Sequence, residues 1–285
     1  MLNVTSVLTG IVDERATAHF KALYPSGSPA ALDLVVRASS IALAAIGTSD
    51  ALYHNIEHTT HVTLVGLEIL KARQERDRDV PVRTWANVAV ALLCHDIGYV
   101  RSLCRADTAL NIATGQDGLP MRNIEGASDA VLMPIHVNRG KRFVEEAFAD
   151  HRLADVGFIK ACIERTRFPV PDDPSYLGTG DFPGLVRAAD LIGQLSDPRY
   201  LNKLTAIFFE FEEIGFNQMT GYHRPGDLLT GYPAFFEHHV APYITDASAY
   251  LELSVQGRDI LAHLHDNLAR ARAAGAAPLA NVANR

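Results

Sequence analysis

Apolar residues recur at helical spacing along most of this chain, and period-two alternation persists nowhere. The first clear rhythm runs from Ala30 to Ile46 and stops at Gly47. A second covers His58 to Arg76, with Val62, Val65, Leu67, Ile69 and Leu70, and ends in the charged run QERDRD, which reads as a solvated helix end. Pro81 opens a third helix, expected from Val82 to Ile97 with Gly98 as its stop. Its middle, VAVALLC, is apolar all round, as a buried central helix should be. Asp107 to Met121 and Phe168 to Pro183 hold the turn formers of two long loops. Helices are expected to resume near Glu125, Phe143, Leu153 and Gly184, then from Pro198 through Phe216, from Pro233 through Tyr243, and from Asp246 to Ala273. The fold class is therefore all-α, a compact multi-helix domain over residues 1–275, with an Ala-rich tail at 276–285 expected to fray.

Composition narrows the function classes. Hydrophobic residues make up 48% and charged residues 21%, enough for a sizeable core. The net charge of −7 argues against broad electrostatic binding to nucleic acid. It leaves room for a small phosphate-bearing substrate, because a bound metal reverses the local field. Cys94, Cys104 and Cys162 are too few and too scattered for a disulfide framework or a Cys-rich zinc site, so a cytoplasmic setting is expected. The N-terminus lacks the basic start and long apolar run of a signal peptide, and the longest apolar run, Val88 to Cys94, is too short to span a bilayer. No membrane partner is expected.

Candidate chemistry gathers in three segments: YHNIEH at 53–58, CHD at 94–96 and AD at 189–190. His54 and His58 are four apart, which on a helix puts them on one face. His61 lies one turn further and reads as a packed residue. His95 and Asp96 are adjacent and can share an ion only near a helix end. Asp190 sits in the apolar helix LVRAADLIGQL, where a carboxylate needs a partner: a metal, or Arg187 three residues earlier. Imidazole and carboxylate donors suit Zn, Mn, Fe or Mg, and an ion held by four protein ligands keeps positions open for water and substrate.

With these segments in view, the chain resembles the HD superfamily of metal-dependent phosphohydrolases, and within it the catalytic domain of class I cyclic-nucleotide phosphodiesterases. YHNIEHTTHV is similar to that family's YHNxxHxxDV opening, ALLCHDIG to its ALCHD helix, and AADLIGQLSDPRYLNKLTAIFFEFEEIGF to the stretch that starts at its last metal Asp. GYPAFFEHHVAPYI is a fainter echo of its nucleotide pocket. The resemblance implies that His58, His95, Asp96 and Asp190 hold one divalent ion, that Asp96 also bridges to a second where two are bound, and that His54 is the general acid. It implies hydrolysis of a small phosphoester, nucleotide or cyclic-nucleotide-like diester, by metal-activated water. A homodimer is compatible with it.

The chain also departs from the pattern. His61 stands where the family has Asp, and the HDxDHxG stretch is reduced to His95-Asp96-Ile97-Gly98-Tyr99. Met133 falls near the Glu that supports the general acid, so Glu57 or Glu125 is expected to orient His54. Tyr232 falls near the purine-gripping Gln, while Phe235 matches the aromatic that stacks on the base. Tyr232 and Phe235 are accordingly candidate substrate contacts. His136 reads either as a substrate or outer-sphere contact or as a packed core residue. Arg139 reads either as a bidentate phosphate holder or as a solvated helix start. Phe208, Phe209 and Phe211 read as core. Two other readings stay open: a di-iron oxygenase, which would need His136 and His151 as further ligands, and a nucleotide sensor without turnover.

Overall fold

What most limits the fold is the helix that has no polar face. In the computed structural model, which describes residues 3–116 and 118–276, α4 (Val82–Cys94) buries every side chain from Trp85 to Cys94. A helix buried all round needs neighbours on every side. They are α2 (Pro29–Ile46), α3 (Ile56–Asp77), α6 (Val156–Glu164) and α7 (Phe182–Ser196). Around them lie α1 (Val4–Leu23), α5 (His136–Phe148), α8 (Tyr200–Glu213), α9 (Phe216–Thr220), α10 (Pro225–Phe235), α11 (Thr245–Leu251) and α12 (Val255–Ala276). The protein is all-α, and one contiguous buried cluster draws on α1 through α8 and α10 through α12. Strand is confined, among the described residues, to a two-residue antiparallel pair, Asn111–Ile112 with Met121–Arg122, inside the first long loop. Residues 277–285, most of the segment expected to fray, lie outside the described residues, and Ala276 still belongs to α12.

Two glycines set distances that matter for the site. A Cβ on Gly193 would come within 2.9 Å of the Val62 backbone, so α7 and α3 touch where His58 and Asp190 must meet. A Cβ on Gly98 would lie 1.9 Å from the carbonyl oxygen of His136. Gly98 thus allows close approach to the start of α5, and is not the stop of α4.

Several expected boundaries move. Helix α4 ends at Cys94, before the His-Asp pair, and a 3-10 turn covers Ile97–Tyr99. Pro233 lies inside α10; the helix starts at Pro225, where no N–H is needed, and widens into a π turn over Phe236–Val240. The expected helix from Asp246 is two helices, because the Ser254 hydroxyl accepts the Gly257 N–H and caps a fresh start. Helix α1 had no sequence counterpart, since its buried stripe is only Val12, Ala16, His19 and Phe20. Helix α2 is long and apolar enough by composition to cross a membrane, yet it buries Leu34, Val35, Leu43 and Ile46 in the core. That is how a core helix passes the same test.

Candidate metal centre and its cavity

His58 enters on the first turn of α3. Asn55 caps that helix by accepting the Glu57 and His58 N–H groups, so His54 precedes the helix and does not share a helical face with His58. Their rings lie 5.6 Å apart, near perpendicular. His95 follows the last residue of α4, and Asp96 takes φ −104 and ψ 2, outside helical geometry. This break lets adjacent residues point to one place. Asp190 comes from the middle of α7.

His58, His95 and Asp190 each bring a ligand atom within 4.8 Å of the other two, and Asp96 lies against both imidazoles. His58 Nε2 lies 3.4 Å from His95 Nε2, 3.3 Å from Asp96 Oδ2 and 3.3 Å from Asp190 Oδ1. His95 Nε2 lies 3.1 Å from Asp96 Oδ2 and 3.6 Å from Asp190 Oδ1. Donors about 2.1 Å from a shared ion are separated by about 3.0 Å in an octahedron and about 3.4 Å in a tetrahedron. The observed spacings, 3.1–3.6 Å, span the tetrahedral value and lie just above the octahedral one. His95 donates Nδ1–H to the Leu92 carbonyl at 2.8 Å, which leaves Nε2 free to face the cluster. Asp96 Oδ2 is buried with no hydrogen-bond partner among the described residues, as an oxygen meant for a cation would be. The donor set fits a divalent ion. Burial works against a proton on His58 and His95, but Asp96 and Asp190 outweigh it, raising His95 to about 9. The same negative field favours a cation at this point. The Asp190 side chain is 20% exposed while the other three are nearly sealed, so the cluster opens on the Asp190 side.

Beside the cluster, His54 meets an acid that sequence reasoning missed. Its Nδ1 lies 2.5 Å from Glu210 Oε2 of α8, and the other Glu210 oxygen accepts the Tyr53 and His54 backbone N–H groups. Burial alone would lower His54 and raise Glu210, but their attraction reverses both, raising the imidazole and lowering the carboxylic acid. The two acids expected in this role lie elsewhere: Glu57 faces Lys203 and Arg199 on the surface, and Glu125 is exposed in the first long loop. The available signal for Glu210 was a Glu at helical spacing from the buried Leu204 and Ile207.

Tyr99 is the second residue missed. Its ring stacks 4.7 Å from His54 and 4.6 Å from His136, a His-Tyr-His sandwich along the cavity wall. His136 donates Nδ1–H to the Met133 carbonyl, and its Nε2 lies 3.6 Å from Asp96 Oδ1. Burial holds this imidazole below its usual range despite Asp96.

The cavity lined by His54, Asp96, Tyr99, His136 and Asp190 is about 120 Å³ and runs into an aromatic annex of about 330 Å³. Phe168, Gln194, Ile207, Phe211 and Phe235 line both. Tyr232 faces only the annex, 2% exposed, with its hydroxyl unpartnered among the described residues. Of the three phenylalanines read as core, Phe208 is buried, Phe209 is half exposed and Phe211 lines the cavity.

Arg139 is a correction. It is neither a solvated helix start nor a phosphate holder, but fully buried. It donates to the carbonyls of Gly98, Val100 and Ala113 and to both oxygens of Asp107, so every N–H is used internally. Its work is to pin the chain that follows Asp96. Arg187 does not pair with Asp190 either; it donates to the Tyr176 and Gly178 carbonyls. His61 stays outside the cluster, 3.4 Å from the Ser196 hydroxyl.

The Npun_R2479-like family model matches residues 2–274. The chain belongs to the Npun_R2479-like family. No curated protein and no solved structure matches it. The match covers α1 through α12 apart from the end of α12, so the cluster and its cavity lie within the family's span.

Proposed function

We propose that this chain is a metal-dependent phosphohydrolase of the HD type, acting on a small phosphoester. The observation that carries the reading is the convergence of His58, His95, Asp96 and Asp190 beside the His54–Glu210 pair. Mixed imidazole and carboxylate donors favour Zn, Fe or Mn over Mg. On its other side Asp96 meets only His136 Nε2 among the described residues, a meagre donor set for a second resident ion, so we favour one ion.

When bound, a divalent ion here supplies charge neutralisation for phosphoryl oxygens and a lowered pKa for water. The chain's own residues do the rest. Glu210 accepts Nδ1–H of His54 and stabilises the imidazolium, the form in which Nε2 carries a proton. Hydrolysis adds water to phosphorus and breaks the bond to the leaving oxygen, and the Nε2 proton of His54 passes to that oxygen. Tyr99 stacks on His54 and restricts its ring to one plane.

The di-iron alternative loses a ligand. His151 lines a separate surface hollow with Arg37, Arg105 and Asp150, away from Asp96.

The deciding experiment is metal analysis of purified protein with a panel of phosphomonoesters and phosphodiesters, before and after chelation. Bound divalent metal, turnover lost on chelation and turnover restored by Zn, Fe or Mn are expected. No turnover across the panel in metal-replete protein would sink the reading.

A further inference from the structure

Arg139 and Arg187 are the two largest charged side chains sealed in the core, and they are treated in opposite ways. Arg139 uses all its donors and has a carboxylate partner. Arg187 is 2% exposed and has no carboxylate oxygen within ion-pair distance among the described residues. Two carbonyls and the face of Tyr243, 4.0 Å from the guanidinium carbon, are its compensation. Its Nε–H is buried with no partner. A buried cation without an anion is costly, and a fold keeps one only where something offsets it. Arg187 also lines the cavity that contains Asp190. On α7 the cavity-lining residues are Arg187, Asp190, Leu191 and Gln194, the spacing of one helical face. Arg187 therefore sits one helical turn from the cluster, about 5 Å along the axis. Arg167 lines the same cavity, held by Glu164 and Asn138.

We propose that Arg187, with Arg167 lining the same cavity, seats a second oxyanion of the substrate, a carboxylate or phosphate roughly one helical turn from the reacting phosphoester. This rests on the hydrolase reading only for the word substrate; the anion seat stands on Arg187 itself. It narrows the substrate class to molecules with a remote anionic group. The aromatic annex then takes the uncharged part, because among the described residues no Lys, Arg, Asp or Glu lines it.

The test is calorimetric titration of the full-length protein with inorganic phosphate and, separately, with benzoate. Arg187→Gln should weaken the preferred oxyanion roughly tenfold to a hundredfold, and Arg187→Lys should restore part of it. The phosphate and benzoate arms tell which oxyanion the seat prefers. His95→Ala, which dismantles the metal cluster, should leave Arg187-dependent binding in place. In wild-type protein the Arg187 Nε–H resonance, assigned by its loss in Arg187→Lys, should shift on saturation, which keeps the test valid if the Gln variant does not fold. Binding that survives Arg187→Gln unchanged but disappears in His95→Ala overturns the proposal, as does an unmoved resonance. A protein without metal or turnover that still binds oxyanion through Arg187 would refute the hydrolase reading and keep this one.

Discussion

At the inner end of the cavity polar atoms face other polar atoms: Asp96 and Asp190 oxygens 3.1–3.6 Å from the His58 and His95 nitrogens, and His54 locked to Glu210. At the outer end Phe168, Phe211 and Phe235 face open space, and the Tyr232 hydroxyl has no partner among the described residues. One end is organised before anything binds; the other offers shape and apolar surface. The difference separates chemistry from selection. Groups that must act on a reacting bond need positions fixed by their neighbours. Groups that choose a ligand need only a complementary wall. Variants at the inner end should therefore change metal content or kcat, and variants at the outer end should change KM.

The largest effect is expected at Asp96. Asp96→Asn removes a buried charge from the cluster and replaces an acceptor-only oxygen with an amide. Loss of bound metal is expected, with activity down about a thousandfold or more, about 4 kcal/mol of transition-state stabilisation. Metal analysis and steady-state turnover check this together. Retained metal and full activity would mean that the cluster is not the centre.

Glu210→Gln comes next. It keeps the volume and removes the charge that raises His54. Metal should stay bound while kcat falls about a hundredfold, within the range for a general acid. The sign of the pH effect follows. The protonated imidazole is the active form, so activity falls as pH rises through the His54 pKa. Without Glu210 burial prevails and that pKa drops, so the alkaline limb of the kcat profile should move to lower pH. A limb that stays put would assign the proton to another group.

The same contrast explains what the sequence made legible. The proximity of His58, His95, Asp96 and Asp190 could be read because each lies in a short segment with a recognisable setting: YHNIEH, the end of the all-apolar α4, and the apolar α7. Glu210 could not, because it reaches His54 across 156 positions and no local pattern carries that pairing. Arg139 misled for the same reason. Its basic neighbours Lys141 and Arg142 suggested a solvated face, while its partner Asp107 lies in a loop 32 residues away. The helices were visible wherever the apolar stripe was wide. Helix α1, with four buried positions in twenty, was not, and the Pro233 and Ser254 boundaries depended on which turn chemistry each residue served.

Phe235→Ala should give the smallest change and tests the division most directly. Phe235 lines both the cavity and the annex, packs edge-on to Phe168 at 5.9 Å and lies 5.8 Å from the His239 ring. It is only partly buried, and its ring partners are Phe168 and His239. Removing it widens the annex and removes an aromatic wall, a loss of about 1–2 kcal/mol of ligand contact. KM should rise about tenfold, with kcat within about twofold and metal content unchanged. Separate kcat and KM values on one good substrate decide it. If kcat falls as far as in Glu210→Gln while KM holds, the annex wall positions the reacting group. The outer end would then share in the machinery of the inner end.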